Sequence, residues 1–407
     1  MRLRLTGQLL VLLMLLSAAV IPMPPTNAKP VVNNAGAGVS NQTGGLCQTP
    51  HFGQPRGFPV GDDTTFLDNP DSVAAVDLNQ DNAIDFIVTQ LLDTMQVRLG
   101  DGNGGFGPPT TFVTGANPGK IVTADFNLDG KPDLATGNGP NVSVFLGNGS
   151  GGFGTRTDLV TGIGFESIAV ADFNLDGKPD LVAAGAADSK VTVFLGDGSG
   201  NFSTHQRFGL GESPFSLVAG DFNLDGKPDL ALACRSSQPD GNGSVFILLG
   251  NGNGTFIPAL SVGLQGQPPI GCMTMGDFNL DGKPDLAVVD VFGASVAILQ
   301  GAGDGRFARV RDIALPFRTG EGAADIVTAD FNLDGFPDLA VSGSTFPGEL
   351  LVLLGTGDGG FAAPTSYKDG STSGRMAVAD VNNDGKPDIA VTSPQGVAIF
   401  LNTCGNP

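Results

Sequence analysis

The sequence contains few of the side chains on which many catalytic and sugar-binding sites depend. Trp is absent, Tyr occurs once, and the 407 residues include two His and four Cys. Such a chain offers little for the aromatic stacking that sugar-binding sites use. Eleven of its 27 Phe recur at two fixed positions of a repeat, which is typical of core residues.

Basic residues are also scarce. The chain has 21 Lys and Arg against 41 Asp and Glu, which gives a net charge of −20. A protein that binds a nucleic-acid backbone needs clustered positive charge to release its counterions. The composition therefore argues against nucleic acid as a partner, and the excess of carboxylates requires another explanation.

A long apolar run occurs only at the N-terminus. MRLRLTGQLLVLLMLLSAAVI has two Arg followed by an apolar stretch of the length found in secretory signal peptides. We predict a signal peptide over residues 1–28, a Gly/Asn-rich linker with Cys47 over 29–50, and a secreted mature chain without a membrane span. Cleavage after Ala19 or after Ala28 fits the pattern, and a retained membrane anchor is the alternative.

A short motif is repeated along the rest of the chain. DFNLDGKPDL or a close variant begins at seven Asp residues that are 47 to 56 residues apart, a period typical of repeat architectures. Side-chain oxygens fall at positions 1, 3, 5 and 9, with Gly or Asn at position 6. Calcium takes six to eight oxygen ligands from such loops, including a backbone carbonyl at position 7. The predicted ligand sets are Asp77, Asn79, Asp81, Asp85; Asp125, Asn127, Asp129, Asp133; Asp172, Asn174, Asp176, Asp180; Asp221, Asn223, Asp225, Asp229; Asp277, Asn279, Asp281, Asp285; Asp330, Asn332, Asp334, Asp338; and Asp380, Asn382, Asp384, Asp388.

This motif has two other interpretations. An EF-hand needs an acidic twelfth residue and flanking helices, whereas the twelfth residues here are apolar or Thr and the flanks alternate as strands do. The second alternative is a set of Asx-rich turns without metal. We predict up to seven Ca²⁺, which would bring the net charge to about −6 and explain most of the acidity.

A second motif follows each of the first six metal loops. It is a Gly-rich turn such as LGNGSGGF, with strand-like sequence on both sides. A dinucleotide-binding GxGxxG would require a helix that opens at the glycines, so we assign these glycines to hairpin turns that need positive φ. Each repeat then supplies four short antiparallel strands. The predicted fold is all-β, a seven-bladed β-propeller over residues 51–404 with a tail at 405–407.

The two motifs together resemble the FG-GAP or VCBS repeats of the integrin α-subunit propeller and its bacterial relatives. The resemblance extends from about Phe52 to Leu401. It implies calcium in the loops that join the first and second strands of each blade. The first loop departs most from the pattern, through Gln80, Asn82 and Ile84.

The two termini indicate how the ring closes. The last repeat lacks an outer strand, and residues 51–61 resemble the outer-strand sequence at 105–115. We predict that the N-terminal strand completes the last blade, with a disulfide between Cys47 and Cys404. Free thiols are the alternative for this pair. Cys234 and Cys272, in neighbouring blades, are a second candidate pair, although neighbouring blades need not bring them within disulfide range.

The face opposite the metal loops is the predicted ligand face. The residues five before each first Asp should surround the channel mouth: Ser72, Lys120, Ser167, Ser216, Cys272, Asp325 and Arg375. Lys120, Arg235, Asp325 and Arg375 are the candidate ligand-binding charges. His51 and His205 lie in no recognisable catalytic motif, so we expect no enzyme activity.

We therefore predict a monomeric binding or adhesion module for an extracellular protein or carbohydrate. A calcium-dependent lectin and a propeller polysaccharide lyase or hydrolase are the alternatives.

Overall fold

The computed structural model describes most of the repeat region. The described residues are 47, 50–60, 70–90, 93–160, 167–185, 187, 189–235, 243–264, 270–290, 295–317, 322–343, 348–367 and 374–404. The chain divides into two units, Met1–Pro30 and Val31–Pro407, and all described residues belong to the second. The predicted signal peptide, most of the linker and the C-terminal tail lie outside them.

The described residues form seven antiparallel sheets of four strands each, which confirms the predicted propeller. Blades 1 to 6 are β2–β5, β6–β9, β10–β13, β14–β17, β18–β21 and β22–β25, and blade 7 is β26–β28 with β1. In these residues no helix is long and apolar enough to cross a membrane. The strands are β1 Arg56–Phe58, β2 Pro70–Val76, β3 Asp85–Gln90, β4 Thr94–Arg98, β5 Thr110–Val113, β6 Pro118–Ala124, β7 Asp133–Asn138, β8 Asn141–Phe145, β9 Thr157–Val160, β10 Ser167–Ala171, β11 Asp180–Gly185, β12 Lys190–Gly196, β13 Phe202–Gly209, β14 Ser213–Gly220, β15 Asp229–Arg235, β16 Gly243–Gly250, β17 Phe256–Leu264, β18 Ile270–Gly276, β19 Asp285–Asp290, β20 Ser295–Gly301, β21 Phe307–Ala314, β22 Ala323–Ala329, β23 Asp338–Gly343, β24 Leu350–Leu353, β25 Thr365–Tyr367, β26 Met376–Ala379, β27 Asp388–Ser393 and β28 Gly396–Phe400.

The core lies between neighbouring blades, where the two repeated motifs meet. Phe126, from the loop of blade 2, is fully buried and packs edge-on against Phe202, which follows the Gly-rich turn of blade 3, at 5.3 Å between ring centroids. The same contact recurs at the next interfaces, in the pairs Phe173–Phe256, Phe222–Phe307 and Phe278–Phe361. Each aromatic pair buries a large apolar area, so the repeated Phe residues are core residues, as predicted.

The N-terminal segment completes blade 7, which confirms the predicted closure. Strand β1 pairs antiparallel with β28, and Cys47 is bonded to Cys404. Phe52 packs edge-on against three aromatic rings of blades 6 and 7, at centroid distances from 5.1 to 6.5 Å. The hydroxyl of Tyr367 donates a hydrogen bond to the Pro50 carbonyl at 2.6 Å. The outer edge of the last blade is therefore covered.

The second candidate disulfide is wrong, because Cys234 and Cys272 are free, buried thiols. Cys234 packs in the apolar cluster between blades 3 and 4, whereas Cys272 packs in the cluster between blades 5 and 6. The interface between blades 4 and 5 instead holds Ala233 and Met273, their sequence neighbours. The two thiols thus face away from each other, which rules out a bond between them.

Candidate functional site

The first part of each metal loop is organised by its own side-chain oxygens. In blade 2, the two carboxylate oxygens of Asp125 accept the N–H groups of Asp129 and Gly130 at 3.0 and 2.8 Å. Asn127 Oδ1 also accepts the Asp129 N–H, and Asp129 Oδ1 accepts the N–H of Lys131. All seven loops repeat these bonds. Positions 1, 3 and 5 therefore turn their oxygens towards the loop interior, as Asx turns do.

The position-9 Asp has a different environment. Asp133 is fully buried, and its two oxygens accept the N–H groups of Phe126 and Gly147 at 2.8 and 2.7 Å. Each of the other six loops has the same pair of bonds, with Asn402 in place of the turn Gly in blade 7. Burial raises the pKa of Asp133 to about 6, against the opposing effect of its backbone hydrogen bonds. This residue ties the metal loop to the Gly-rich turn of its own blade.

The close approach of loop and turn explains the first glycine of each turn. A Cβ atom on Gly147 would lie 2.1 Å from the carbonyl oxygen of Pro132, where no side chain fits. Gly147 has no positive φ, unlike Gly149 and Gly151, at 74° and 78°. The prediction of positive φ for all these glycines is correct for Gly149 and Gly151 and wrong for Gly147 and Gly152.

Position 4 of the loop carries a feature that the repeated motif did not predict. Leu128 has a φ of 56°, a conformation that is uncommon outside Gly and Asn, although its side chain is 53% exposed. Its Cδ1 lies over Gly198 of the next blade, and Gly200 of that turn donates to the Phe126 carbonyl at 3.1 Å. The backbone bond recurs in the next three pairs of blades. The loop is therefore also an inter-blade connector.

Position 7 contributes more than the carbonyl that was predicted for it. In blade 2, Lys131 Nζ lies 3.1 Å from Asp129 Oδ2. Four other loops have the same pair: Lys178–Asp176, Lys227–Asp225, Lys283–Asp281 and Lys386–Asp384. Blades 1 and 6 have Ala83 and Phe336 instead. An ammonium group thus neutralises one rim carboxylate in five of the seven loops.

The chemistry of the donor set fits calcium. Positions 1, 3 and 5 offer carboxylate and amide oxygens on one side of a tight loop, and these are the ligands that Ca²⁺ takes. Each position-9 carboxylate already accepts two N–H groups, one on each oxygen. Within the described ranges, no three Asp, Glu, His or Cys side chains are grouped to hold a metal ion. The seven calcium sets therefore stay predictions.

At the other end of the inner strands, the structure brings the predicted mouth residues together. One cavity is lined by all seven, one from each blade: Ser72, Lys120, Ser167, Ser216, Cys272, Asp325 and Arg375. Phe215, Val218, Met273, Ile326 and Met376 complete its wall.

Strand irregularities help to place these residues. The register of β6 against β7 shifts between Pro118 and Ile121, so that Gly119 and Lys120 are unpaired in the ladder. Such a bulge re-aims side chains. The first strands of blades 1, 4, 5 and 6 have a shift at the same height.

The charges in the cavity fall into two groups. Arg375 Nη1 contacts the Cys272 thiol and lies 3.9 Å from Asp325 Oδ1, and Asp325 Oδ2 accepts the N–H of Met376 at 2.8 Å. Lys120 forms no hydrogen bond or close ion pair with a described residue, although the charge of Asp325 attracts its ammonium group, and burial lowers its pKa. Arg235 does not line the cavity, although its guanidinium lies 3.9 Å from the ring centroid of Phe215, which does.

A family model matches the chain in six overlapping stretches, 77–136, 125–183, 172–232, 225–288, 277–341 and 340–391. The model describes an FG-GAP-like repeat, and the matches span residues 77–391 without a gap, more than half of the chain. The chain belongs to the FG-GAP-like repeat family. Most matches run from one metal loop to the next, so the family motif covers both the loop and the turn that it contacts.

Comparison with other proteins supports the fold of this FG-GAP-like chain. No curated protein sequence matches it. Among solved structures, BBS1N in complex with ARL6DN matches with a TM-score of 0.59 and 12% identity, covering 86% of this chain and 96% of that one. Sqt1 of Saccharomyces cerevisiae matches with a TM-score of 0.53 and 11% identity, covering 78% and 81%. At such identities the likeness concerns the fold alone.

Proposed function

We propose that this chain is an exported, calcium-binding β-propeller that binds an extracellular protein at its channel mouth. The observation that carries the proposal is the cavity itself, in which each of seven blades contributes one residue, of five types in all, around an ammonium group without a hydrogen bond. Variable residues on a rigid scaffold are typical of a binding site. The disulfide and the N-terminal apolar run support export.

The potential catalytic side chains, Cys272 and the two His residues, favour binding over catalysis. Cys272 is the nucleophilic side chain in the cavity, and burial raises the pKa of its thiol to about 12, which disfavours the reactive thiolate. His51 Nδ1 is hydrogen-bonded to Thr403 Oγ1 at 3.0 Å, in the closing segment, and His205 lies in the outer strand β13. Neither imidazole is therefore placed to act as a base at the cavity.

A protein ligand is favoured over a glycan. Phe215 is the aromatic side chain of the cavity, and the guanidinium groups of Arg235 and Arg375 lie 3.9 and 5.6 Å from its ring centroid. These cations compete with a sugar for the ring. The protein complex of BBS1N with ARL6DN gives a precedent for protein binding by a chain of similar fold.

For the calcium loops we propose a structural role. Each loop places several carboxylates close together, and like charges at short range destabilise a folded loop. Calcium, when bound, supplies positive charge that offsets this repulsion. Because the loops also carry the bonds between blades, the metal would stabilise the ring as a whole.

We expect the midpoint of thermal unfolding to fall by several degrees when calcium is removed. A site filled at a hundredfold excess over its Kd contributes about 2.7 kcal/mol to the free energy of unfolding. The measurement is calorimetry of metal-free protein with added Ca²⁺, with Mg²⁺ at equal ionic strength as the control. An equal midpoint in all samples would contradict the structural role.

The binding function is tested on an array of extracellular-matrix proteins and glycans. The secreted protein is applied with calcium, and again with excess chelator. We expect capture by protein spots and weaker capture after chelation, because the ring loosens. Capture by glycan spots alone would instead identify a lectin, and turnover of a polysaccharide spot would identify a lyase or hydrolase.

A further inference from the structure

The channel mouth is chemically divided into two halves. Blades 5, 6 and 7 contribute Cys272, Asp325 and Arg375, which contact one another. Blades 1 to 4 contribute an arc of Ser72, Lys120, Ser167 and Ser216, which we call the donor arc. The side chains of the first half contact one another, so a ligand can form more new hydrogen bonds at the donor arc.

The donor arc has unused hydrogen-bonding capacity. Ser72 and Ser216 are each 5% exposed, and their hydroxyl groups have no hydrogen-bond partner among the described residues. The hydroxyl of Ser167 accepts the Leu217 N–H at 3.1 Å, which leaves its own proton available. Three hydroxyl groups that each have a proton to donate line one cavity with the Lys120 ammonium, and together they point to a ligand that accepts hydrogen bonds.

Charge and size narrow the class of ligand. Lys120 and Arg375 outweigh the single carboxylate of Asp325, which leaves one net positive charge among the lining residues. The cavity volume is about 30 Å³, and one water molecule needs roughly 10–15 Å³. A group the size of two or three waters fits, such as a carboxylate, whereas a sugar ring does not.

We propose that the donor arc binds one carboxylate of the partner protein, from an Asp or Glu side chain or from its carboxyl terminus, through the Lys120 ammonium and the serine hydroxyls. This rests on the proposed binding function. The net charge of −20 repels acidic surfaces at long range. The partner therefore presents its carboxylate from a neutral or basic surface.

The test uses blocked aspartate (N-acetyl-aspartic acid methylamide) as the probe, observed by saturation-transfer NMR on the full-length protein. Blocked asparagine is the neutral probe. Lys120→Met removes the charge at similar length, and Lys120→Arg keeps it. Arg306→Met is the matched control, because it makes the same change in net charge at an exposed ion pair on a Gly-rich turn.

We expect blocked aspartate to bind at least tenfold more weakly to Lys120→Met, and within threefold of the parent affinity to Lys120→Arg and Arg306→Met. Blocked asparagine should not bind. Lys120→Met should fold, since it removes a partly buried charge that makes no hydrogen bond to a described residue, and a thermal midpoint close to that of the parent checks this. Unchanged binding to Lys120→Met would overturn the proposal. So would displacement of the probe by equimolar sulfate.

The array separates this inference from the proposed function. If a protein spot captures parent and Lys120→Met equally, the carboxylate site is wrong and the binding module stands. If the probe binds as expected while no protein spot captures the protein, the carboxylate site stands and the proposed function fails.

Discussion

Replacing Asp229 with Ala is expected to lower the free energy of unfolding by about 3–5 kcal/mol, even in excess chelator. Its two oxygens accept the N–H groups of Phe222 and Gly250 at 2.9 and 2.7 Å, and the residue is fully buried. The Ala variant leaves both donors without an acceptor. Each unsatisfied buried group costs about 1–3 kcal/mol, and the lost volume adds to this. The measurement is urea unfolding at pH 7.5.

The matched control is Asp225→Ala in the same loop. Asp225 accepts the Lys227 N–H and forms an ion pair with the Lys227 ammonium at 2.8 Å, on the exposed rim. Exposed pairs contribute little, so in chelator this variant should unfold close to the parent. With calcium added, Asp225→Ala should be less stable to urea than the parent, because the variant lacks one predicted calcium ligand. A loss for Asp229→Ala in chelator as small as the loss for Asp225→Ala would contradict a metal-independent role of position 9.

The architecture was predictable because the repeat restates the same local chemistry seven times. Glycines, Asx residues and alternating apolar residues recur at one period, so each copy supports the interpretation of the others. The closing strand was predictable for the same reason. Residues 51–61 resemble the outer-strand sequence of a repeat, and the last repeat lacks its own outer strand. The position-2 Phe was also assigned correctly to the core, because an aromatic residue that recurs at the same place in successive repeats is typical of a packing position.

The details that escaped prediction depend on which way each side chain points, and a sequence motif does not specify this. Asp133 stays a predicted calcium ligand, but the motif did not indicate that both of its oxygens accept backbone N–H groups, one of them from the Gly147 turn, 14 residues away in sequence. Cys272 was expected to approach Cys234. A register shift between Ile270 and Met273 breaks the alternation of β18, and Cys272 faces blade 6. Nor did any residue pattern indicate that Phe215 lines the mouth.

Removal of the Cys47–Cys404 bond is expected to have a comparably large effect on stability. The bond joins residues 357 positions apart, and the loop-entropy model assigns such a crosslink on the order of 5 kcal/mol. The outer strand that it secures is short, since β1 pairs with β28 through three residues. The closing segment is also held by Phe52, by the Tyr367–Pro50 hydrogen bond and by backbone bonds such as that from the Thr403 N–H to the His51 carbonyl at 2.8 Å.

The measurement compares the urea midpoints of Cys47→Ser, Cys404→Ser and the double variant with that of the parent protein. All three variants should unfold at the same lower urea concentration, because each lacks the same bond, and coupled residues are not additive. Reduction of the parent with thiol should reach the same midpoint, since Cys234 and Cys272 are not bonded. A midpoint equal to that of the oxidised parent would contradict the prediction. A ring has no free edge only while its ends stay joined, so the variants should also aggregate sooner on heating, through the exposed edge of β28.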